Sequence, residues 1–511
     1  MMIRVARPTA ALASLFILLG CASGTSSQKS TGSAAIPHDA LAGAIEDIDE
    51  FYVKSPDIPS IALAGLQALT SIDPALSVRK DGTELTLLRS GLPIDQASLG
   101  QQPSPAAWGD AMEQIVTAAV LHSELLQRQA PGAIEDLVFA GIFSKLDARS
   151  AYLSSRILVA GAGPSFDVAS PHIALMSQDG RLAVASNSDC VAPMSRSLSY
   201  GDIVLQIDGH DTSDMTIQEG MRLLSGAPGT SVTLEIEKAG TGQKTDLALK
   251  RQRSRDETQF RFERMGRFEW MQACALTAYF AANLGSELIQ QSIPADAPAG
   301  YVLDLRGSPG GLLKQTIELA DLFLEAGEIL RTRGRHPDSL QNFNATLSDR
   351  LNGKPLVVLI DRGTASGAEV VAAALQRNGR AVVVGSASGG AGSIQNAFPV
   401  AGGGQLFLTW AEMVGPAGAP LSDSAVIPTI CTAMAKTNWS DALMGGNADA
   451  RLFPITAERR TTVNDVQGFQ SVRDGCPMVA GSGGEDADLQ IALALLRDRD
   501  LYQRAIALAT Q

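Results

Sequence analysis

Basic side chains and histidines are scarce in this sequence of 511 residues. The 41 lysines and arginines are outnumbered by 54 aspartates and glutamates, so the formal net charge is −13. A chain this acidic repels polyanions, which argues against nucleic acid and against an anionic membrane surface as the main partner. The five histidines and five cysteines form no cluster at ligand spacing, so we predict neither a metal site nor a cofactor.

The apolar run at the N-terminus, residues 10–19, is too short to span a lipid bilayer. It follows two arginines and has the form of the hydrophobic region of a secretory signal peptide. The run ends in Leu18-Leu19-Gly20-Cys21, which resembles the lipobox of bacterial lipoproteins. The resemblance implies a signal peptide over residues 1–20, a lipid on Cys21 and a location in the bacterial cell envelope facing the periplasm. The residue after Cys21 is not aspartate, which favours the outer membrane; an ordinary signal peptide with an incidental cysteine is the alternative.

The rest of the chain has the composition of a globular protein, with 45% hydrophobic and 19% charged residues, and is long enough for several domains. Residues 21–35 are rich in Ser, Thr and Gly and are predicted to be a flexible tether. Residues 36–157 carry apolar side chains at helical spacing and are predicted to form a helical N-terminal region. The predicted helices are Ala40 to Tyr52, Ile58 to Leu69, Trp108 to Leu126 and Ile134 to Leu146.

From residue 158 to residue 253 the pattern changes to short alternating runs separated by turn residues. The predicted elements are strands at Arg181 to Ala185, Asp202 to Gly209 and Ser231 to Ile236, and a helix at Thr216 to Leu224. Their order resembles a PDZ domain, on the strength of Gly201 to Gly209 and Gly229 to Leu234. PDZ domains bind a peptide as an added strand and hold its terminal carboxylate on N–H groups of a Gly-rich loop.

The loop that would hold the carboxylate is residues 163–168, with Gly163, Ser165 and Phe166 as its peptide-binding residues. Pro164 has no backbone N–H, and Ser165 replaces a glycine of the family pattern. One hydrogen-bond donor is thereby lost, so we expect weak carboxylate capture or an internal role for this PDZ-like module.

Residues 254–430 are predicted to form an α/β core, because apolar strands alternate with Gly-rich turns and amphipathic helices. One unit runs from the strand Gly300 to Leu305 through the turn 306–311 into the helix Leu312 to Leu324. A second runs from Pro355 to Ile360 through a Gly-rich turn into an Ala-rich helix. The next two predicted strands are Ala381 to Gly385 and Gln405 to Thr409.

Residues 431–511 are predicted to be a C-terminal extension, polar and irregular until one terminal helix from Asp486 to Leu508. Without Cys21, four cysteines remain in what would be an oxidising periplasm. Their even number permits disulfides, and Cys431 and Cys476, which bracket a polar segment, are the first pair to consider.

A candidate nucleophile lies in the turn of the second strand–turn–helix unit, Gly363-Thr364-Ala365-Ser366-Gly367. Ser366 would lie at a helix N-terminus between small neighbours, where backbone N–H groups and the helix dipole favour a developing anion. The alternative is that Thr364 or Ser366 only caps the helix.

Three ordered motifs resemble those of the C-terminal processing (tail-specific) serine peptidases over roughly residues 134–430. They are Leu303 to Gly311, Gly363 to Ser366 and Gly385 to Gln395, and residues 146–153 match the segment before the PDZ domain of that family. The resemblance implies an α/β peptidase core of the crotonase or Clp-protease type with an inserted PDZ-like domain and a helical N-terminal region.

The resemblance also assigns roles to residues. Ser366 matches the nucleophile, and the amide of Gly367 together with that of Gly310 or Gly311 matches the oxyanion hole. Gln395 matches a glutamine that supports the general base.

The general base itself departs from the family pattern. Family members have a lysine 25 residues beyond the serine, and this chain has Ala391 there. A buried lysine can lose its proton and then take one from the serine, which alanine cannot do. Lys314 and His336 are candidates to replace the lysine as general base, but neither lies in a motif that would bring it close to Ser366.

The sequence therefore leaves activity open between two classes of function. One is a serine endopeptidase that acts on cell-envelope polypeptides and is impaired by Ala391. The other is a pseudoprotease, a lipid-anchored scaffold that binds a peptide or protein without cutting it. A deliberate substitution at Ala391 that traps substrate would look the same. The polypeptide partner and the oligomeric state are not specified by the sequence.

Overall fold

The computed structural model describes residues 36–37, 39–147, 149–155, 169–171, 173–178, 181–187, 198, 201–213, 215, 217–227, 229–239, 241–253, 260–293, 296–346, 349–433, 439–445, 452–458, 461–462, 465–477 and 486–510. They belong to one compact unit, Ala34–Gln511. Within these ranges no helix combines the length and the apolar character that crossing a membrane requires.

The N-terminal region combines five helices with a small sheet. The helices are α1 (Ala40–Phe51), α2 (Ile58–Gln67), α3 (Pro105–His122), α4 (Glu124–Gln127) and α5 (Ala133–Phe143). The antiparallel strands are β1 (Leu76–Asp81), β2 (Glu84–Arg89) and β3 (Leu92–Ser98). The four predicted helices are confirmed, and the region also contains three strands that the sequence did not predict. Two tight turns at Gly82 and Gly91, both with positive φ, join the three strands.

A six-stranded antiparallel sheet follows, with one helix among the residues described between 169 and 253. Its strands are β6 (Ile173–Gln178), β7 (Arg181–Asn187), β8 (Ile203–Ile207), β9 (His210–Asp211), β10 (Ser231–Glu237) and β11 (Lys244–Lys250), and the helix is α6 (Ile217–Leu224). Strands β5 (Ala169–Ser170) and β12 (Gln252–Arg253) pair beside it. The predicted strands and helix are confirmed, whereas the likeness to a PDZ domain stays a prediction. Gly163, Ser165 and Phe166, like Cys21, lie outside the described residues.

The α/β core is a six-stranded sheet in the order β13-β14-β15-β18-β19-β22. Its strands are β13 (Phe260–Met265), β14 (Phe268–Ala273), β15 (Gly300–Asp304), β18 (Leu356–Ile360), β19 (Val382–Gly385) and β22 (Ile430–Cys431). From β14 to β22 all neighbours are parallel. Every residue of β15, β18 and β19 is buried, because helices cover both faces of the sheet.

One face of this sheet packs against the helices α7 (Phe280–Ser292), α8 (Leu313–Asp321) and α9 (Gly367–Arg377). The other face packs against two C-terminal helices, α14 (Ala487–Arg497) and α15 (Arg499–Thr510). Successive residues of a strand point to opposite faces of the sheet, so each face has its own apolar core. Leu303 and Val358 lie in the core with α7, α8 and α9, while Val302 and Val357 lie in the core with α14 and α15.

A separate antiparallel sheet has the order β17-β16-β21-β20, with β4 paired to β21. Its strands are β4 (Ala151–Leu153), β16 (Glu328–Arg333), β17 (Asn342–Asn344), β20 (Ser393–Pro399) and β21 (Gln405–Val414). The predicted strand at Gln405 to Thr409 is therefore confirmed, but it is not a strand of the parallel sheet.

The C-terminal extension is more ordered than the sequence indicated. After the helix α10 (Leu421–Ser424), which precedes it, the extension contains the short helices α11 (Trp439–Met444), α12 (Ile455–Glu458) and α13 (Val466–Asp474). The prediction of one terminal helix was wrong, because α14 ends at Asp498 in an extended conformation. The Asp498 carboxylate then accepts hydrogen bonds from the N–H groups of Asp500 and Leu501, starting α15. The predicted disulfide Cys431–Cys476 is confirmed.

Candidate active site

Three turns meet at one edge of the parallel sheet. They follow β15, β18 and β19, which are neighbours in the sheet and run in the same direction. The carboxyl ends of parallel strands are where α/β proteins place their ligands. The three motifs of the sequence therefore converge on one place.

The turn after β18 holds Ser366 in an unusual backbone conformation. Its φ is 51° and its ψ is −120°, in a half-buried position directly before α9. Two hydrogen bonds fix this turn on the neighbouring turn after β15: Ala365 N–H to the Ser308 carbonyl at 2.9 Å, and Thr364 Oγ1 to the Leu305 carbonyl at 2.8 Å. Thr364 is thus committed to the turn and does not cap the helix.

Glu369 connects the serine turn to the turn that carries Ala391. One carboxylate oxygen, Oε2, accepts the backbone N–H of Ser366 at 2.9 Å and that of Ala391 at 2.7 Å. The other, Oε1, accepts Ser388 Oγ at 2.5 Å and the Gly390 N–H at 2.7 Å. The side chain is fully buried, and burial raises the pKa of Glu369, while its four hydrogen bonds act to lower it.

Ser366 and Glu369 form a capping box, in which the Ser366 N–H donates to the Glu369 carboxylate and the Ser366 side chain faces the Glu369 N–H. The Ser366 hydroxyl makes no hydrogen bond to a lysine, histidine or carboxylate in the part of the chain that the structure describes. Ser366 therefore caps α9 without a hydrogen bond between its hydroxyl and a base.

Unpaired backbone N–H groups lie next to this hydroxyl. A Cβ built on Gly310, whose φ is 80°, would lie 2.4 Å from the Gly367 nitrogen, so the two residues are in direct contact. Gly311 instead packs on the backbone of Leu276. Among the described residues, the N–H groups of Gly310, Gly311 and Gly367 have no acceptor. The structure thus brings Gly310 and Gly367 together, as an oxyanion hole requires, and Gly311 beside them.

Neither replacement base reaches Ser366. Lys314 is 80% exposed and lies 3.7 Å from the Glu318 carboxylate. His336 lies 5.0 Å from the ring of Phe51, and its Nδ1 accepts the N–H of Asp338. Both side chains are thereby assigned to contacts away from the serine.

Gln395 is directed to a neighbouring polar cluster. Its Nε2 donates to Ser393 Oγ at 2.8 Å and lies 3.5 Å from Thr409 Oγ1. Arg149 donates to the same Ser393 Oγ at 3.1 Å and to the Gly390 carbonyl at 2.6 Å. A guanidinium is therefore bound on both sides of Ala391, although arginine holds its proton too tightly to be a base.

Arg306, at the start of the turn after β15, is enclosed by three carboxylates. It bonds Asp304 at 2.7 Å, Asp486 at 2.8 Å and Asp488 at 3.0 Å, and Trp270 Nε1 also donates to Asp304. Burial acts to lower the pKa of Arg306, but the Asp304 and Asp486 carboxylates raise it well above its usual value. The charge is therefore permanent, and it ties the Gly-rich turn to the start of α14.

The C-terminal extension also contacts the turn after β19. The Cys476 carbonyl accepts the Ala387 N–H at 3.3 Å, and its Sγ lies 3.5 Å from the Gly385 carbonyl. The disulfide to Cys431 fixes Cys476 at the end of β22. Two of the three turns at the site are thus fastened to the extension.

Sequence reasoning did not identify Glu369, Arg149 or Arg306. Glu369 had a local signal, since a Glu three residues after a helix-capping serine is typical of a capping box. Arg149 and Arg306 had none, because their partners lie 241 and 180 residues away in the chain. No group of His, Cys, Asp or Glu in the described ranges could hold a metal ion.

The segment of the chain that forms this site is similar to known proteins. Residues 280–432 match the model of peptidase family S41. The chain is 35% identical over 256 residues to a carboxy-terminal-processing protease of Bartonella bacilliformis, covering 50% of this chain and 58% of the relative. It is 28% identical over 253 residues to the carboxy-terminal processing protease CtpA of Bacillus subtilis, covering 50% and 53%. The chain thus spans little more than half the length of these relatives.

A solved structure agrees at the level of the fold. The photosystem II D1 C-terminal processing protease matches with a TM-score of 0.52 and 20% identity, over 72% of this chain and 92% of that one. The three turns of the site all belong to the matched segment 280–432. The mixed α/β core that carries Ser366 is therefore similar, in sequence and in fold, to the C-terminal processing peptidases of family S41.

Proposed function

We propose that this protein is a serine-type endopeptidase of the C-terminal processing family, acting on cell-envelope polypeptides, whose hydrolytic step is impaired at Ala391. The observation that carries the proposal is the position of Ser366 beside Gly367 and Gly310, whose N–H groups are unpaired among the described residues, with no described base hydrogen-bonded to the Ser366 hydroxyl. The names of the relatives, which describe carboxy-terminal processing, support a polypeptide as the ligand.

Acyl transfer from a peptide requires both an oxyanion hole and a general base, and the two requirements are met differently here. When Ser366 Oγ attacks a peptide carbonyl, the oxygen that becomes negative needs N–H donors, and Gly310 and Gly367 can supply them. The hydroxyl proton must leave at the same time, and Ala391 offers no group to accept it. An oxyanion hole and substrate binding alone leave about 10³ to 10⁴ over the uncatalysed rate, which is too little for a working protease.

The same observation favours a second candidate, a pseudoprotease that only binds polypeptide. It differs from the first in predicting no turnover by the wild type under any condition. In both cases we propose that Cys21 anchors the protein by a lipid on the periplasmic side of the outer membrane, and that the PDZ-like module 158–253 takes part in peptide binding. Gln395 would then act on the base position only through Ser393.

The test compares four full-length proteins: wild type, Ser366→Ala, Ala391→Lys and the double variant. Cleavage of casein is followed by mass spectrometry, and binding of fluorescein-labelled casein is followed by anisotropy. We expect all four to bind and only Ala391→Lys to cleave efficiently. Cleavage by the wild type that is lost in Ser366→Ala would exclude the pseudoprotease and reveal another base. Absence of both binding and cleavage in wild type and Ala391→Lys would overturn the proposal.

A further inference from the structure

A cavity lies at the edge of the parallel sheet opposite the candidate active site, where the strands begin. It has a volume of about 670 Å³, which is within the range of small-molecule sites. Its lining includes Phe268 at the start of β14, Ala299 before β15 and Pro355 before β18. The opposite wall is the junction of α14 and α15, residues 495–503.

Part of the cavity wall is made of closely packed apolar side chains. Phe268 is 7% exposed and Leu496 9% exposed, and Leu495 is completely buried. Tyr502 contributes its ring, because its hydroxyl is already bonded to the N–H and the carbonyl of Leu356. A ligand would therefore meet carbon on these sides of the cavity.

Three exposed arginines, Arg267, Arg497 and Arg499, line the same cavity. None of them makes an ion pair or a side-chain hydrogen bond with any residue that the structure describes. Arg264, in the adjoining recess of about 360 Å³, contrasts with them because it pairs with Glu269 at 2.9 Å. In a chain with a net charge of −13, three arginines without an ion-pair partner among the described residues line this one cavity and can attract an anion.

We propose that this cavity binds an anionic amphiphile, a molecule with one carboxylate, sulfonate or phosphate head and an apolar body. Arginine suits such heads because its planar guanidinium donates two parallel hydrogen bonds to their oxygens. The apolar body would pack against the exposed parts of Phe268 and Leu496, and its transfer out of water would add to the affinity. One wall, 495–503, lies outside the segment 280–432 that matches family S41, so the cavity is formed jointly by the α/β core and the C-terminal extension.

The cavity also has a physical connection to the active site. Its wall α14 begins at Asp486 and Asp488, which bind Arg306 at the Gly-rich turn. Occupation of the cavity at the far end of α14 would thus act on an element that holds the oxyanion turn. The binding itself does not depend on whether Ser366 is active.

The test uses the full-length protein and 8-anilinonaphthalene-1-sulfonate, whose fluorescence rises when its aromatic body leaves water. We expect saturable binding of one molecule per chain. The triple variant Arg267→Gln/Arg497→Gln/Arg499→Gln should bind at least tenfold more weakly. The matched control removes the same charge from exposed arginines elsewhere, Arg79→Gln/Arg128→Gln/Arg333→Gln, and should bind as the wild type does. If the triple variant melts at a lower temperature, the three single variants replace it, each with an expected loss of threefold or more.

Two further arms identify the source of the head group. Co-sedimentation with phosphatidylglycerol vesicles but not with phosphatidylcholine vesicles, lost in the triple variant, would identify a membrane lipid. Dye binding without co-sedimentation would identify a soluble amphiphile. Dye binding that does not saturate, or that is equally strong in the triple variant and its control, would overturn the proposal.

Discussion

The backbone N–H groups of Ser366 and Ala391 donate to the same oxygen, Oε2 of Glu369. The residue at the nucleophile position and the residue at the base position are therefore held together by one buried carboxylate. A side chain longer than alanine at position 391 would start beside the serine turn. The two turns are thus joined at position 391, where the side chain of Ala391 carries no ionisable group.

Glu369→Gln should destabilise the fold by about 1 to 3 kcal/mol, because the amide NH₂ must face a backbone N–H in either orientation. If the new NH₂ group faces Ser388 and Gly390, only the Gly390 N–H loses its acceptor, because the Ser388 hydroxyl can rotate to accept from the NH₂. Urea unfolding measures the loss. The control Glu325→Gln, on an exposed side chain, should unfold like the wild type, and equal curves for both variants would contradict the role given to Glu369.

Gly310→Ala should remove about 10² of any cleavage that Ala391→Lys restores, because the new Cβ would lie 2.4 Å from the Gly367 nitrogen and cover its N–H. The control is Gly91→Ala, which has a similar φ of 82° but no atom within 4 Å of the new Cβ. It suffers the same backbone strain without blocking the N–H. The measurement is the initial rate of cleavage of a labelled peptide. An undiminished rate with Gly310→Ala would show that the Gly367 N–H is not part of the oxyanion hole.

The double variant Cys431→Ser/Cys476→Ser should lose about 2 to 4 kcal/mol, because the disulfide closes a loop across 45 residues. Since Cys476 holds Ala387, faster amide exchange is expected in residues 386–391. Calorimetry and hydrogen exchange measure the two effects. A reducing agent is not an equivalent test, because Cys274 is also disulfide-bonded. Unchanged exchange in residues 386–391 would show that the extension does not support this turn.

Stability should depend on pH through Asp47 in α1. Burial, together with the charges of Glu50 and Glu46, raises the pKa of Asp47 to about 6. An acid with a raised folded pKa binds its proton more tightly when folded, so the fold loses stability as pH rises from about 4 through 6. Asp47→Asn should therefore raise the melting temperature at pH 7 relative to wild type and not at pH 4. Asp110→Asn, on an exposed side chain, should show no such pH dependence.

Local patterns predicted most of the elements that build the core, because an apolar run or a Gly-rich turn is a signal contained in about ten consecutive residues. The three strands between Leu76 and Ser98 escaped notice, although Asp81-Gly82 is a strong hairpin signal, because their alternation is interrupted by polar residues. The break at Asp498 was hidden by apolar residues that continue at helical spacing on both sides.

The sequence predicted those residues of the site that belong to a local motif. Ser366, Gly310 and Ala391 were located by their turns, but the contacts that join these turns connect residues far apart in sequence. Arg149 lies 241 residues from Gly390, and no periodicity reports such a pair. The pairing of Cys431 with Cys476 was chosen from their positions at the two ends of a polar segment, which the structure confirms.

The most direct test of the account is the reactivity of Ser366 itself. A fluorophosphonate reports it, because Oγ displaces fluoride only when its proton can be taken away. The account predicts that the wild type acquires no more adduct at pH 7.5 than Ser366→Ala, whereas Ala391→Lys is labelled at Ser366, as located by peptide mass spectrometry. Rapid and complete labelling of Ser366 in the wild type would contradict the claim that this serine is positioned but not activated.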